Sequence, residues 1–172
     1  MQHVINNVIA KEQIDILRGI KDASLLKLYI EEVGEFALSL VIESPDSKLS
    51  VKNTPISALD GDEYPKLKIE HATTLNPECK LTYVGTNLED ILVLRDVASW
   101  QTNGIKWIVE VDIGVKLVFQ QEEFLFVAQD SLAGFLKVFK LNKMTPVKEI
   151  LDDYWSMKTD KVDSLIREEI KI

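Results

Sequence analysis

The side chains with chemical potential in this chain are its carboxylates, and they gather in a few short stretches. The densest is Asp60-Gly61-Asp62-Glu63-Tyr64, where acids flank a glycine beside a phenol. A calcium loop of EF-hand type would use Asp60, Asp62 and Tyr64 as its first, third and fifth residues. Its sixth and twelfth must be glycine and a bidentate glutamate, and the chain has Pro65 and His71 there. No metal is expected. Exposed acids beside an aromatic ring can also recognise a basic surface, charge speeding encounter and the ring supplying an anchor. Asp60, Asp62, Glu63 and Tyr64 are therefore the candidate partner-binding residues, with a merely solvated loop as the alternative. Glu110 with Asp112, and Glu31-Glu32-Glu35, are rival acidic surfaces.

Catalytic constellations are harder to find. His3 and His71 are the only histidines and stand in no metal-ligand spacing. Cys79 is the single cysteine, flanked only by Lys80 as a thiolate-favouring neighbour, and reads as packing. There is no Gly-x-Ser-x-Gly, phosphate loop or dinucleotide fingerprint. The expectation is no catalytic residues and no cofactor. Asp96 is the residue that resists this reading. It falls among Leu94, Ala98 and Trp100, and a carboxylate in apolar company must be paired, protonated or near a sheet edge. Either the strand end twists it into water, or a bulge shifts the register, or it forms a buried acid in a pocket.

What positions these residues is a long hairpin. Asn103-Gly104 between two apolar runs is a type I′ turn signal, because both central residues need positive φ. If that pair is the loop, Trp100 faces Trp107, Ala98 faces Val109 and Leu94 faces Ile113. On the other face Arg95 lies opposite Asp112. Aromatic and opposite-charge pairs contribute about 0.2–1 kcal/mol each. From Ile105 to Phe119 every odd residue is apolar, the period-2 signature of one buried and one wetter face. A straight strand of that length is too long for a small domain, so Gly114 is the place for a bulge, or Asp112-Ile113-Gly114 for a turn. Phe124, Phe126 and Ala128 return on the inner face. Thr86-x-x-Glu89 has the form of a helix capping box, the competing reading for 88–100.

Elsewhere, Lys11 to Ile20 reads as a short helix with Ile14, Leu17 and Ile20 on one stripe. Leu26, Leu28, Ile30 and Phe36, Leu38, Leu40, Ile42 alternate in phase around a turn at Glu32-Val33-Gly34. Leu49 and Val51 suggest a short edge strand within a long loop from Ser44 to Pro65. Lys66–His71 and Lys80–Val84 look like a pair around Asn76-Pro77, and Phe135–Leu141 like one more strand. Beyond Thr145-Pro146, the spacing of Val147, Ile150, Leu151, Tyr154 and Trp155 is helical, and Asp160 restarts a second helix with Val162, Leu165 and Ile166. The fold class expected is α+β. One domain spans 1–172, with 1–142 mainly antiparallel strands and 143–172 a C-terminal helical pair packed on the sheet.

A chain of 172 residues, 46% apolar, can bury a real core. No apolar run approaches a membrane span, Met1-Gln2-His3-Val4 shows no leader pattern, and a lone cysteine suits a reducing compartment, so a cytoplasmic protein is expected. A net charge of −8 argues against nucleic acid and permits a basic protein partner.

Asp112-Ile113-Gly114-Val115-Lys116-Leu117-Val118-Phe119, followed by a polar turn and Phe124-Leu125-Phe126-Val127, resembles a segment of small bacterial immunity proteins from toxin–immunity systems. The preceding arm ending in Trp100 shares the likeness, which covers about 40 residues. It implies a non-enzymatic protein that neutralises a cognate toxin by binding it, and carries over no binding residue. Two other readings stay open. One is a small-molecule-binding or hydrolytic enzyme with a sheet pocket near Asp96, and the other an accessory structural subunit.

Overall fold

The computed structural model describes residues 1–129, 134–142, 155 and 162–172. In chain order these form β1 (Gln2–Asn7), α1 (Lys11–Arg18), β2 (Leu25–Val33), β3 (Phe36–Glu43), β4 (Lys48–Asn53), β5 (Ile56–Ser57), β6 (Glu63–Tyr64), β7 (Leu67–His71), β8 (Lys80–Thr86), β9 (Leu88–Thr102), β10 (Ile105–Phe119), β11 (Glu122–Ala128), β12 (Leu136–Asn142) and β13 (Ser164–Lys171). Eleven strands make one sheet, and β5 and β6 pair separately.

The β9–β10 hairpin is the spine. Asn103 (φ 52°) and Gly104 (φ 75°) adopt the left-handed turn that their types favour. Trp100 lies opposite Trp107, Ala98 opposite Val109 and Arg95 opposite Asp112, as that turn dictates. The helical alternative for 88–100 is not realised. Asn87 (φ 56°) carries the chain directly from β8 into β9.

Past Arg95 the register slips by one. Leu94 faces Gly114 instead of Ile113, and Ile113 is the extra residue of a β-bulge. Gly114 is needed there because a Cβ would stand 2.8 Å from the carbonyl oxygen of Phe126. The bulge changes what the odd-numbered series means. Up to Val111 the odd residues share a face with Trp100. From Val115 onward they point to the other side, with Val93 and Ile91. The expectation of one buried and one wetter face is corrected accordingly, since the alternation spans two faces and feeds two cores.

The larger core joins Val115, Leu117, Phe119, Phe124 and Phe126 to the inner residues of β2, β3, β4 and β7 and to Leu17 of α1. The smaller one joins Leu94, Ala98, Val109, Val111 and Ile113 to Tyr64, Trp100 and Trp155 on the opposite face. Each large side chain fully buried in this way contributes about 1.5–3 kcal/mol. The edge of β10 away from β9 is shared. β1 runs parallel to it over 106–111, and β11 antiparallel over 114–118. The bulge sits where one neighbour ends and the other begins.

The α+β expectation is overturned. The fold is mostly antiparallel sheet, with α1 the only helix among the described elements. Residues 164–171, read as a helix from Val162, Leu165 and Ile166, form β13, antiparallel to β9 from Ser164–Ser99 to Lys171–Leu92. The outer edge of β9 offers eight residues of backbone pairing and a buried carboxylate at Asp96, and these outweigh a weak helical spacing. Thr145, Pro146, Val147, Ile150, Leu151 and Tyr154 of the first expected helix lie outside the described residues, while Trp155 is buried.

Smaller corrections share one cause, long-range pairing. β4 is no edge strand, lying between β3 and β7 with Leu49 and Val51 fully buried. β7 pairs with β4 and β8 with β2, not with each other. The β2–β3 turn falls at Gly34-Glu35 (Gly34 φ 63°), and β1 had no counterpart in the sequence reading. Among the described residues no helix is long and apolar enough to cross a membrane.

Candidate functional site

The acidic loop folds onto the tip of the spine. Residues 54–66 form an arm pinned at its base, where Thr54 N–H donates to the Lys66 carbonyl at 2.8 Å. Asn7 Nδ2 reaches the carbonyls of Tyr64 (3.3 Å) and Pro65 (3.2 Å), tying the arm to β1. Tyr64 is 1% exposed and packs in the smaller core, donating its hydroxyl to Asp60 Oδ2 at 2.6 Å. Asp60 Oδ1 accepts the Asp62 N–H at 3.1 Å, and Asp62 Oδ1 accepts that of Glu63 at 3.0 Å. The three acids are half-buried, held by a buried phenol and their own backbone. Tyr64 is therefore the arm's root in the core, and a partner does not reach its ring.

Between the arm and the hairpin tip lies a cleft of about 360 Å³. Asp60, Asp62 and Tyr64 form one wall, Trp100, Trp107 and Ile105 the other, and the turn residues Thr102 and Asn103 its mouth. His3, opposite Trp107 in the β1 register, stacks on that indole with centroids 4.7 Å apart. None of the described lining residues is cationic. The sequence reading paired the two tryptophans for stability. That they share a cleft with the acidic loop required the arm to be placed.

The remaining acids do other work. Asp96 is completely buried and does not twist into water, and it is paired. Arg167 of β13 binds it through two hydrogen bonds of 2.7 Å, and Trp155 Nε1 donates to Oδ2 at 2.7 Å. Asp112, equally buried, takes Arg95 Nε at 2.7 Å and Nη2 at 3.1 Å, with the Ile9 N–H at 2.7 Å. The bond to Asp112 holds the Arg95 guanidinium above its ordinary pKa. Glu110 stays half-buried, 3.5 Å from Arg95 Nη1 and accepting from Asn6 Nδ2 at 3.3 Å. Glu110 and Asp112 thus form no open acidic face. Lys116 is buried too, 2.9 Å from the partly exposed Glu169.

A second cleft of about 340 Å³ opens at the β2–β3 turn, holding Glu32 and Glu35 with Lys140 among its walls. Glu31 accepts Ser39 Oγ at 2.8 Å and Asn76 Nδ2 at 3.2 Å and lines an adjoining cleft with Glu32, so the three acids divide between two neighbouring clefts. Near that cleft Tyr83 donates to Glu122, which also pairs with Lys140 at 2.9 Å. Burial, then the neighbouring Glu122, pushes the Tyr83 phenol well up. Hydrogen bonds from Tyr83 and Lys140 hold Glu122 below the usual carboxylate range.

Exposed His71 and buried Cys79, 3.6 Å from Ser39 Oγ, belong to neither cleft. Among the described residues no group of three His, Cys, Asp or Glu side chains is arranged to hold a metal. The fold and site define a predominantly antiparallel β protein with an acidic, indole-walled cleft at one hairpin tip. No family model, curated protein or solved structure matches the chain.

Proposed function

We propose that this is a binding protein of the immunity type, neutralising a cognate basic toxin by docking on it through the hairpin-tip cleft. The observation that carries the reading is the cleft itself. Two carboxylates and two indoles converge there, with no cation among the described lining residues, in a chain of net charge −8. Carboxylates accelerate encounter with a basic surface and set specificity, and aromatic walls supply the desolvated contact that slows release. A nuclease built to hold phosphates is the kind of toxin such a surface fits. The enzyme reading around Asp96 gains nothing from its surroundings, because Arg167 and Trp155 already occupy both of its oxygens.

The test is binding kinetics against a basic toxin encoded beside this chain, at two salt concentrations. Reversing Asp60, Asp62 and Glu63 to lysine should slow association and flatten its salt dependence, since charges at the surface act over about 8–10 Å at ordinary salt. Trp107→Ala should speed dissociation. Tyr64→Ala would test the arm's attachment instead, its ring being buried. Unchanged kinetics in the triple reversal would move the interface away from the tip. Absence of any basic partner would remove the immunity reading.

A further inference from the structure

We infer that the free edge of β8 is a self-association site, where the β8 strand of a second copy of this chain pairs antiparallel. The inference stands apart from the tip cleft, none of whose lining residues belongs to β8. The main sheet ends on β13 at one side and on β8 at the other. β8 pairs with β2 alone, and among the described residues no strand lies along its other edge. A row of unpaired N–H and C=O groups is a template for another strand, and sheets blunt such edges with charge or cover them.

The other edges of this sheet are treated in that way. β13 carries Arg167, Glu168, Glu169 and Lys171. β12, which meets β3 only at Leu136–Ala37, carries Lys137 and Lys140. Gln13 of α1 accepts the Ile69 N–H of β7 at 2.9 Å, and the arm is tied to β1 through Asn7. β8 has no such protection. From Leu81 to Thr86 it is uncharged, and Leu81 and Val84 are 52% and 46% exposed.

The occupant follows from charge and register. A chain of net charge −8 repels its own copies, so two of them meet best along a strand that bears no carboxylate. On the β2 side Val84 lies opposite Lys27 and Leu81 opposite Tyr29, with Thr82 the extra residue of a bulge. Leu81 and Val84 therefore share the face turned away from the larger core. Antiparallel pairing about a two-fold axis between Thr82 and Tyr83 sets Leu81 of each copy opposite Val84 of the other. Lys80, the one charge of the strand, then meets Gly85. Apolar side chains face apolar ones, and no like charges are opposed. Seven residues span only about 23 Å, so the contact is small beside a standard interface and the dimer is a weak one.

The experiment is sedimentation velocity on the full chain at concentrations from about 1 µM to 1 mM, with amide hydrogen exchange of β8 at both ends of that range. The expected result is a reversible monomer–dimer equilibrium with Kd on the order of 10–1,000 µM, and slower exchange within 80–86 in the concentrated sample. Leu81→Lys combined with Val84→Lys replaces two exposed side chains and sets lysines against each other across the axis. It should weaken association about tenfold or more while the far-UV spectrum stays that of the parent. Ile166→Lys, at a similarly exposed position on β13, also adds a cation and should leave association unaltered.

A chain still monomeric at about 1 mM, or a dimer whose β8 amides exchange as fast as the monomer's, would overturn the assignment. So would undiminished association in the double variant, or loss of association in Ile166→Lys. Protection of β8 that appears only when a basic toxin is added would also overturn it, giving the edge to a foreign strand.

Discussion

Asp96 and Asp112 are one cross-strand step from each other on the same hairpin, on opposite faces, and both are completely buried. Each is neutralised by an arginine through two hydrogen bonds, yet the cations arrive by different routes. Arg95 comes from directly across the hairpin, and the Ile9 N–H as β1 leaves the sheet adds a third bond. Arg167 comes from β13, 71 residues along the chain, with the Trp155 indole joining from the same C-terminal region. One face of the spine is therefore electrically complete once the hairpin and β1 have formed. The other carries a carboxylate without its cation until the chain's last strand docks. A buried charge whose partner is removed is strongly destabilising, whereas a pair replaced by apolar residues is often neutral. The lesson is that Asp96 takes its cation from the distant β13, while Asp112 finds its cation within the hairpin and takes only a backbone N–H from the chain after β1.

The contrast can be broken most sharply at Arg167. Arg167→Met should cost about 3–5 kcal/mol in urea unfolding, because Asp96 then lies buried without a cation. Adding Asp96→Leu should restore most of that loss. A single variant costing under about 1 kcal/mol would show that β13 is held by its backbone alone. Trp155→Ala should cost a similar 3–5 kcal/mol through the cavity in the smaller core. Trp155→Phe, which keeps most of the ring packing and removes the N–H, should cost about 1.5–3 kcal/mol, most of it the lost bond to Asp96.

Arg95→Met should be milder, about 1–3 kcal/mol. The Ile9 N–H remains on Asp112, and the Arg95 side chain, 26% exposed, lies nearer solvent than that of Arg167 at 17%. Equal losses for Arg95→Met and Arg167→Met would remove the distinction between the two faces. Gly114→Ala should cost about 1–3 kcal/mol, as its Cβ must push the Phe126 carbonyl or unmake the bulge that divides them.

The smallest effect belongs to a partly exposed pair that serves as a control. Glu122 is held below its ordinary value of 4.5, first by the Tyr83 hydroxyl and then by Lys140. A depressed carboxylate stabilises the fold above its unfolded pKa, and that contribution is lost as pH falls through the folded value. Tyr83→Phe removes the largest cause, so unfolding midpoints measured downward from pH 4.5 should fall less steeply than in the parent. An unchanged acid limb would mean Lys140 alone holds Glu122.

Much of the spine was legible because the information is local. Asn103-Gly104 sets the turn, the turn sets Trp100 against Trp107 and Arg95 against Asp112, and Gly114 marks the bulge. The same locality explains the failures. Period-2 counting ran through Ile113 as though the strand had one buried face, because apolar residues stand on both sides of the bulge. β7 and β8 were joined to each other because they are neighbours in sequence, while their true partners are β4 and β2. The candidate site divided in the same way. The acids of the arm were visible as a cluster, but nothing local says that Tyr64 turns inward and that Trp100 and Trp107 form the opposite wall.

By itself, then, the sequence determined the register of β9 on β10 up to the bulge, the short helix α1 and the choice at Asp96 between pairing, protonation and water. These follow from positive-φ turn chemistry, helical periodicity and the cost of burying a charge, none of which needs a distant residue. Which partner answers Asp96 was decided only by tertiary structure, because Leu165, Ile166 and Ile170 suit a helix or a strand about equally. What separates the two is the unpaired edge of β9, where eight residues gain backbone pairing and Arg167 arrives opposite the carboxylate.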